Sequence, residues 1–370
     1  MRPLILPLAI LLLVALAAPA RAARPLELAV QDDAVLLYGQ WGDPDLALDR
    51  AAEMGAERLR VNLGWAWSMP TRQARRKRPP ASVAWDFSAL ERLYERAAPR
   101  GIELQVTLTG PAPRWATGNR RLGYKRPKPG QFARFAAAAA EHFAGRVDRW
   151  SVWNEPNWHR LLAPARKAPQ IYRRLYARAY AAIKRQDPAS TVLLGEFMPG
   201  ANSTKSTPML RFLRAMTCSR ADYGARRRCK GLKADGVAIH PYNFARRPRE
   251  ARNRNRDIVE MGSLSRLTRA LDRLRSRGAL RTPSNGRMPV YITEFGFHTA
   301  GPLAQKASTH AAWMKEAWRI AERNPRVRQL LQYLLIDPWD RKVTWRTSVL
   351  DRDGSPRPVF FTLRNLAARP

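Results

Sequence analysis

The sequence predicts an α/β fold, a single-domain (β/α)8 TIM barrel, and three observations carry that expectation. Eight short apolar runs alternate with eight amphipathic stretches of helical length, the pattern of repeated βα units. No glycine-rich phosphate loop follows any of the runs, which disfavours an open doubly wound sheet. Two runs, Arg149-Trp-Ser-Val-Trp-Asn-Glu-Pro-Asn157 and Pro289-Val-Tyr-Ile-Thr-Glu-Phe-Gly-Phe297, break off at a glutamate. The carboxyl end of a barrel strand is where such folds carry reactive groups.

Taken in order, the first strand is expected at 34–39, an apolar run closed by Gly39. A helix at 45–54 ends at Gly55, a residue that readily adopts the left-handed cap conformation. Strand 58–63 alternates Leu59, Val61 and Leu63 with Arg58, Arg60 and Asn62, the period of two that sends side chains to opposite faces. Asp86 can cap a helix at 87–100, which Gly101 closes. Strand 102–108 leads to helix 131–144 and Gly145, and strand 148–153 leads to helix 170–186 with Pro188 beyond its end. Strand 191–194 precedes helix 208–216, and strand 236–240 precedes helix 263–277 with Gly278 after it. Strand 290–293, helix 306–323, strand 330–336 and helix 359–367 complete the alternation.

The chain begins with a positive residue and an apolar stretch that ends in Ala20-Arg-Ala22. That is the form of a secretory signal peptide over residues 1–22, followed by a catalytic domain at 23–370 and by export to the exterior or the cell surface. The competing reading, an uncleaved anchor, is disfavoured by the short apolar stretch and by Pro3, Pro7 and Pro19. Cys218 and Cys229 lie close together in a chain expected to be exported, so a local disulfide is the expected state. Neither cysteine has metal spacing and no His-Glu-x-x-His occurs, so no metal site and no cofactor are expected.

The formal net charge of +36 favours anionic partners. An arginine- and alanine-rich composition is also what a GC-rich genome produces without any ligand. The runs at 72–78, 120–128 and 246–256 follow the second, third and sixth expected strands and so should rim the mouth. A fourth run, at 226–233, precedes the sixth strand and should lie on the floor.

Two carboxylates delivered to one mouth, Glu155 and Glu294, are what glycoside hydrolysis requires. One must be protonated to release the sugar oxygen and the other ionised to attack the anomeric carbon or activate water. The alternative is that both are paired strand-end ions. Trp153-Asn-Glu-Pro-Asn157, together with Ile-Thr-Glu294-Phe-Gly three strands later, resembles the retaining glycoside hydrolases of clan A, especially families 5 and 39. The resemblance implies that Glu155 is the general acid/base and Glu294 the nucleophile. It implies that Asn154 binds the hydroxyl beside the anomeric carbon and that Arg60 holds the nucleophile ionised. Another buried acid as the partner of Arg60 stays open. His240 and Tyr242, in His-Pro-Tyr at the sixth strand end, match residues beside the nucleophile in related barrels, and Trp339 fits the place of a sugar-stacking ring. Trp65, Trp67, Trp115 and Trp158 also follow strands and could extend a cleft, although several must be packing residues. Asn154 and Glu155 are adjacent, so a bulge or the end of pairing must bring both to the mouth.

The expected function is therefore a secreted retaining glycosidase acting on an oligo- or polysaccharide, with an anionic glycan or the cell envelope suggested by charge. No nucleic-acid partner and no stable protein partner are implied. The competing classes are a transglycosylase using the same residues and a non-catalytic basic barrel that binds anionic surface polymers.

Overall fold

The computed structural model describes residues 26–201, 203–224, 229–250, 254–338, 340, 343 and 345–368. The expected signal segment and Trp339 lie outside the described residues. Eight parallel strands close into a barrel in chain order: β1 Glu27–Gln31, β2 Arg58–Gly64, β3 Glu103–Thr109, β4 Arg149–Val152, β5 Thr191–Phe197, β6 Gly236–Ile239, β7 Val290–Phe295 and β8 Val327–Tyr333. Closure is made by β1, which pairs Gln31 with Tyr333 of β8 on one side and with Arg60 of β2 on the other. Among the described residues one helix of eight residues or more follows each strand: α1 Pro44–Glu53, α2 Ser88–Ala97, α3 Pro129–His142, α4 Ala168–Gln186, α5 Met209–Met216, α6 Leu264–Ser276, α7 Ala307–Glu322 and α8 Pro358–Ala367. The expected (β/α)8 barrel is the observed fold. Among the described residues no helix is long and apolar enough to cross a membrane.

The strands β1 and β8 differ from the expectation in position, and β5 runs three residues beyond its expected end. The segment at 34–39 is not β1, because Asp32 accepts a hydrogen bond from the Val35 amide and caps a helical turn at Asp33–Leu36. β1 is instead the preceding run, in which Leu28 and Val30 face the helices. β8 ends at Tyr333, three residues before the expected end. Leu334, Leu335 and Ile336 are buried apolar residues outside the sheet, and the Ile336 amide turns to Asp32 at 3.1 Å. Burial alone made that tail look like strand.

The faces of the strands divide the energetics. Leu59, Val61, Leu104, Val106, Trp150, Val152, Val192, Leu194, Val237 and Ile239 point outward and join the helices in the main core. Each such buried side chain contributes about 1.5–3 kcal/mol. Inside the barrel the apolar content is a separate small cluster of Leu193, Ala238 and Tyr291. Much of the rest of the interior is polar, and its charged groups are paired, as buried charge demands. On the floor Arg58 reaches Glu27 at 2.9 Å and Asp148 at 2.6 Å, with Glu103 also in contact. Arg149 bonds Glu27 and Gln329 and lies over the Tyr291 ring.

Cys218 and Cys229 form the expected disulfide, with Cα atoms 6.1 Å apart, in the floor connection between α5 and β6. The described parts of the basic runs lie where the topology predicts, in the connections after β2, β3 and β6 and, for the fourth, before β6.

Candidate active site

At the carboxyl ends of the strands the regular alternation fails in three places, and each failure sends an acid inward. β4 stops pairing at Val152. Trp153 takes a positive φ of 68° and packs outward against Phe132, while Glu155 adopts a φ of 41°. Asn154 and Glu155 consequently both face the mouth, and the Glu155 amide donates to the Glu196 carbonyl at 3.0 Å. In β7 the register slips between Ile292 and Phe295 against β8. Thr293 and Glu294 then both point into the barrel, and Phe295 joins the outer core.

The third break was not legible in the sequence. Leu193 faces the interior and Leu194 the helices, so alternation would send residue 196 outward. A bulge at Gly195 shifts the register between Gly195 and Phe197. Gly195 has a φ of +121°, and a Cβ there would sit 2.5 Å from the Ala238 carbonyl oxygen. Only glycine fits this crossing. The bulge turns Glu196 into the barrel, where it is fully buried, and gives the outward place to Phe197. With β5 expected to end at residue 194, Glu196 carried no signal beyond the glycine before it.

These acids share two cations. Arg60 of β2 donates through Nη1 to Glu294 at 2.7 Å and through Nη2 to the Asn154 side-chain oxygen at 2.9 Å. Its Nη2 also lies 3.2 Å from Glu196, and Gln31 completes the set at Nη1. Arg60 therefore pairs both with Glu294 and with a second buried acid. His240 sits between three carboxylates: Nδ1 is 3.0 Å from Glu155 and 3.4 Å from Glu294, and Nε2 is 2.8 Å from Glu196. The Tyr242 hydroxyl donates to Glu294 at 3.3 Å. Thr107 and Thr293 donate to Glu196.

The protonation states follow from this geometry. Burial lowers the proton affinity of His240, but the charges of Glu294, Glu155 and Glu196 more than offset it and raise its pKa to about 9. Burial raises Glu196, yet Arg60 and His240 hold it at about 2. Glu155 is raised by burial first and by the neighbouring Glu294 charge, with His240 opposing. One carboxylate is thus fixed as an anion, while another is biased toward its protonated form. Glu155, His240 and Glu294 offer donor atoms within 4.8 Å of one another, a spacing that would also suit a metal. In this structure both nitrogens of His240 are bonded to carboxylates.

Glu196 is a positioning residue in this arrangement. Glu196→Gln should shift the His240 titration to below about 9, read from the ring resonances by NMR, because one of its stabilising charges is gone. It should also lower unfolding stability by about 3–5 kcal/mol in a denaturant titration, since Arg60 loses a buried partner. The signs for the parent protein can be stated separately. The raised His240 contributes stability that is complete below pH 6.5 and lost as pH climbs through about 9. The depressed Glu196 contributes stability that is complete above pH 4.5 and lost as pH falls toward about 2. Their joint contribution is largest between those two limits. An unchanged His240 titration would remove Glu196 from this role.

The aromatic residues divide by burial. Trp65 and Trp115 are buried against each other and packed with Phe132, so they are core residues. Trp67 is exposed on the rim, and Trp158 is half-buried beside Arg160. In the loop after β8 the sequence reading singled out Trp339, which lies outside the described residues. It passed over Trp345, whose ring meets Tyr242 edge-on at 5.1 Å and His298 at 4.8 Å. Asp33 has no signal in the sequence, because it stands just before the stretch expected as the first strand, 34–39. At the end of β1 it accepts from the Asn62 amide at 3.0 Å and side chain at 2.8 Å.

No protein-family model matches the chain. The chain is 31% identical over 122 residues to a β-glucosidase-like protein, SFR2, from rice chloroplasts, a match that spans 32% of this chain and 18% of the rice protein. Solved structures resemble it over nearly its whole length. A family 39 glycoside hydrolase from the gut symbiont Bacteroides cellulosilyticus WH2 superposes with a TM-score of 0.67 at 16% identity, over 94% of this chain and 64% of that one. A monomeric β-xylosidase from Caulobacter crescentus CB15 does so with a TM-score of 0.60 at 17% identity, over 93% and 68%. The shared property is the barrel fold of glycoside hydrolases, including family 39, and the chain spans under two thirds of the first of these structures.

Proposed function

We propose that this protein is a retaining glycosidase that hydrolyses O-glycosidic bonds through a covalent intermediate on Glu294. The observation that carries the reading is the carboxylate pair: oxygens of Glu155 and Glu294 lie within 4.8 Å of each other. Retaining enzymes hold the two groups about 5–5.5 Å apart, whereas inverting ones leave about 6.5–9.5 Å for a water. The environments separate the roles. Glu294 is bonded by Arg60 and Tyr242, which orient it for attack on the anomeric carbon. Glu155 has its pKa raised by burial and gives its proton to the departing oxygen, then takes one from water in the second step. Asn154, oriented by Arg60, stands beside Glu155 for the neighbouring sugar hydroxyl.

Export through the signal segment at 1–22 is part of the same proposal, and the excess of cations favours an anionic or cell-envelope glycan. The test is a screen of aryl glycosides in which a 2-fluoro glycosyl donor is added and the intact mass is read. The expected result is one added glycosyl unit, mapped to the peptide that contains Glu294. Turnover of a substrate without any trapped adduct on Glu294, and with product of inverted configuration, would overturn it.

A further inference from the structure

Outside the catalytic mouth, the loop after β3, the start of α3 and the first turns of α4 border an open concavity of about 560 Å³ lined by the exposed side chains of Arg126, Lys128, Lys167, Arg174 and Arg178. Among the described residues no carboxylate lines it, and none of these five cations forms an ion pair. The basic run after β6 behaves differently, because Arg246 pairs with Glu260 and Arg247 and Arg249 with Glu316. Five like charges that line one concavity repel one another, an effect that added salt screens. The walls that hold them together are fixed by backbone bonds: the Arg126 amide donates to Ala163 at 2.8 Å and the Ala163 amide to Tyr124 at 3.1 Å. Lys128 is anchored on the Trp115 carbonyl at 2.8 Å, which leaves further N–H groups of its ammonium to donate. The cavity also takes in the start of α3, whose first amides are capped by no side chain, so the helix adds partial positive charge.

We infer that this cavity is an accessory binding site for the acidic groups of a polysaccharide, on the leaving-group side of the catalytic site. The side follows from chemistry. The acid/base must stand at the glycosidic oxygen, Glu155 follows β4, and the concavity is bordered by the loop and helix after β3 and by the helix after β4. The elements that border it are thus those that flank β4, whose end carries Glu155. The assignment of a glycan as the polymer rests on the proposed glycosidase function, whereas anion binding does not, and a binding measurement without turnover keeps the two apart.

The test compares Arg126→Gln/Arg174→Gln/Arg178→Gln with a control of equal charge loss, Arg92→Gln/Arg185→Gln/Arg277→Gln, in exposed residues elsewhere. Polygalacturonate, dextran sulfate, neutral dextran and single-stranded DNA serve as probes at several salt concentrations, and matching thermal midpoints certify the folds. The expected result is affinity of the parent for the two acidic polysaccharides and none for neutral dextran. The cavity triple should weaken that affinity at least tenfold and flatten its salt dependence by about 2–3 units of slope, at roughly 0.7–0.9 per charge. The control should change it less than twofold. Equal losses in both triples would show that only overall charge acts, and would overturn the site. DNA bound more than tenfold tighter than either polysaccharide would overturn the ligand class.

Discussion

Glu294→Ala is expected to lower turnover by on the order of 10⁴-fold or more, as removal of a nucleophile does elsewhere. The space left beside Arg60 and Tyr242 should accept azide, which attacks the anomeric carbon directly and gives a glycosyl azide of inverted configuration. The variant should remain folded, because Glu196 still neutralises Arg60 from 3.2 Å. A single cooperative unfolding transition, at a midpoint lowered by the loss of one Arg60 partner, together with lost turnover, would therefore locate the defect in chemistry rather than folding. Parent-like hydrolysis by this variant would dismiss Glu294 as nucleophile.

Glu155→Ala should separate substrates by leaving group. Poor leaving groups need a proton at the glycosidic oxygen, and their kcat/KM should fall by about 10²–10⁴. Activated aryl glycosides need little protonation, so formation of the glycosyl-enzyme should proceed while its hydrolysis slows and the intermediate accumulates. The basic limb of the pH profile should also disappear, because the parent loses activity as Glu155 gives up a proton that burial favours. Equal losses on good and poor leaving groups would show that Glu155 acts structurally.

The candidate site was legible to the extent that it lay on regular elements. Arg60 was readable because a cation at alternate positions of β2, facing away from Leu59, Val61 and Leu63, has to find an acid inside a barrel. Glu155 and Glu294 were readable because each ends an apolar run abruptly, and His240 with Tyr242 because they close β6. What stayed hidden depended on broken alternation or on loops. Glu196 reaches the interior only through the Gly195 bulge. Asp33 reaches the mouth only because Asp32 caps a turn where strand was expected. Trp345 meets Tyr242 across a loop that has no period to read.

By itself the sequence determined the alternation of eight strands with eight helices, the charge, the cysteine pair and the strand-end positions of the two catalytic candidates. These are local properties, set by side-chain period, caps and composition. Only the tertiary structure decided that Glu155, Glu294 and Glu196 converge on one histidine and one arginine, and that five cations from two loops and a helix share one concavity. The reason is physical. Convergence depends on barrel closure and on one-residue slips of register, and each slip reverses the face of every side chain beyond it.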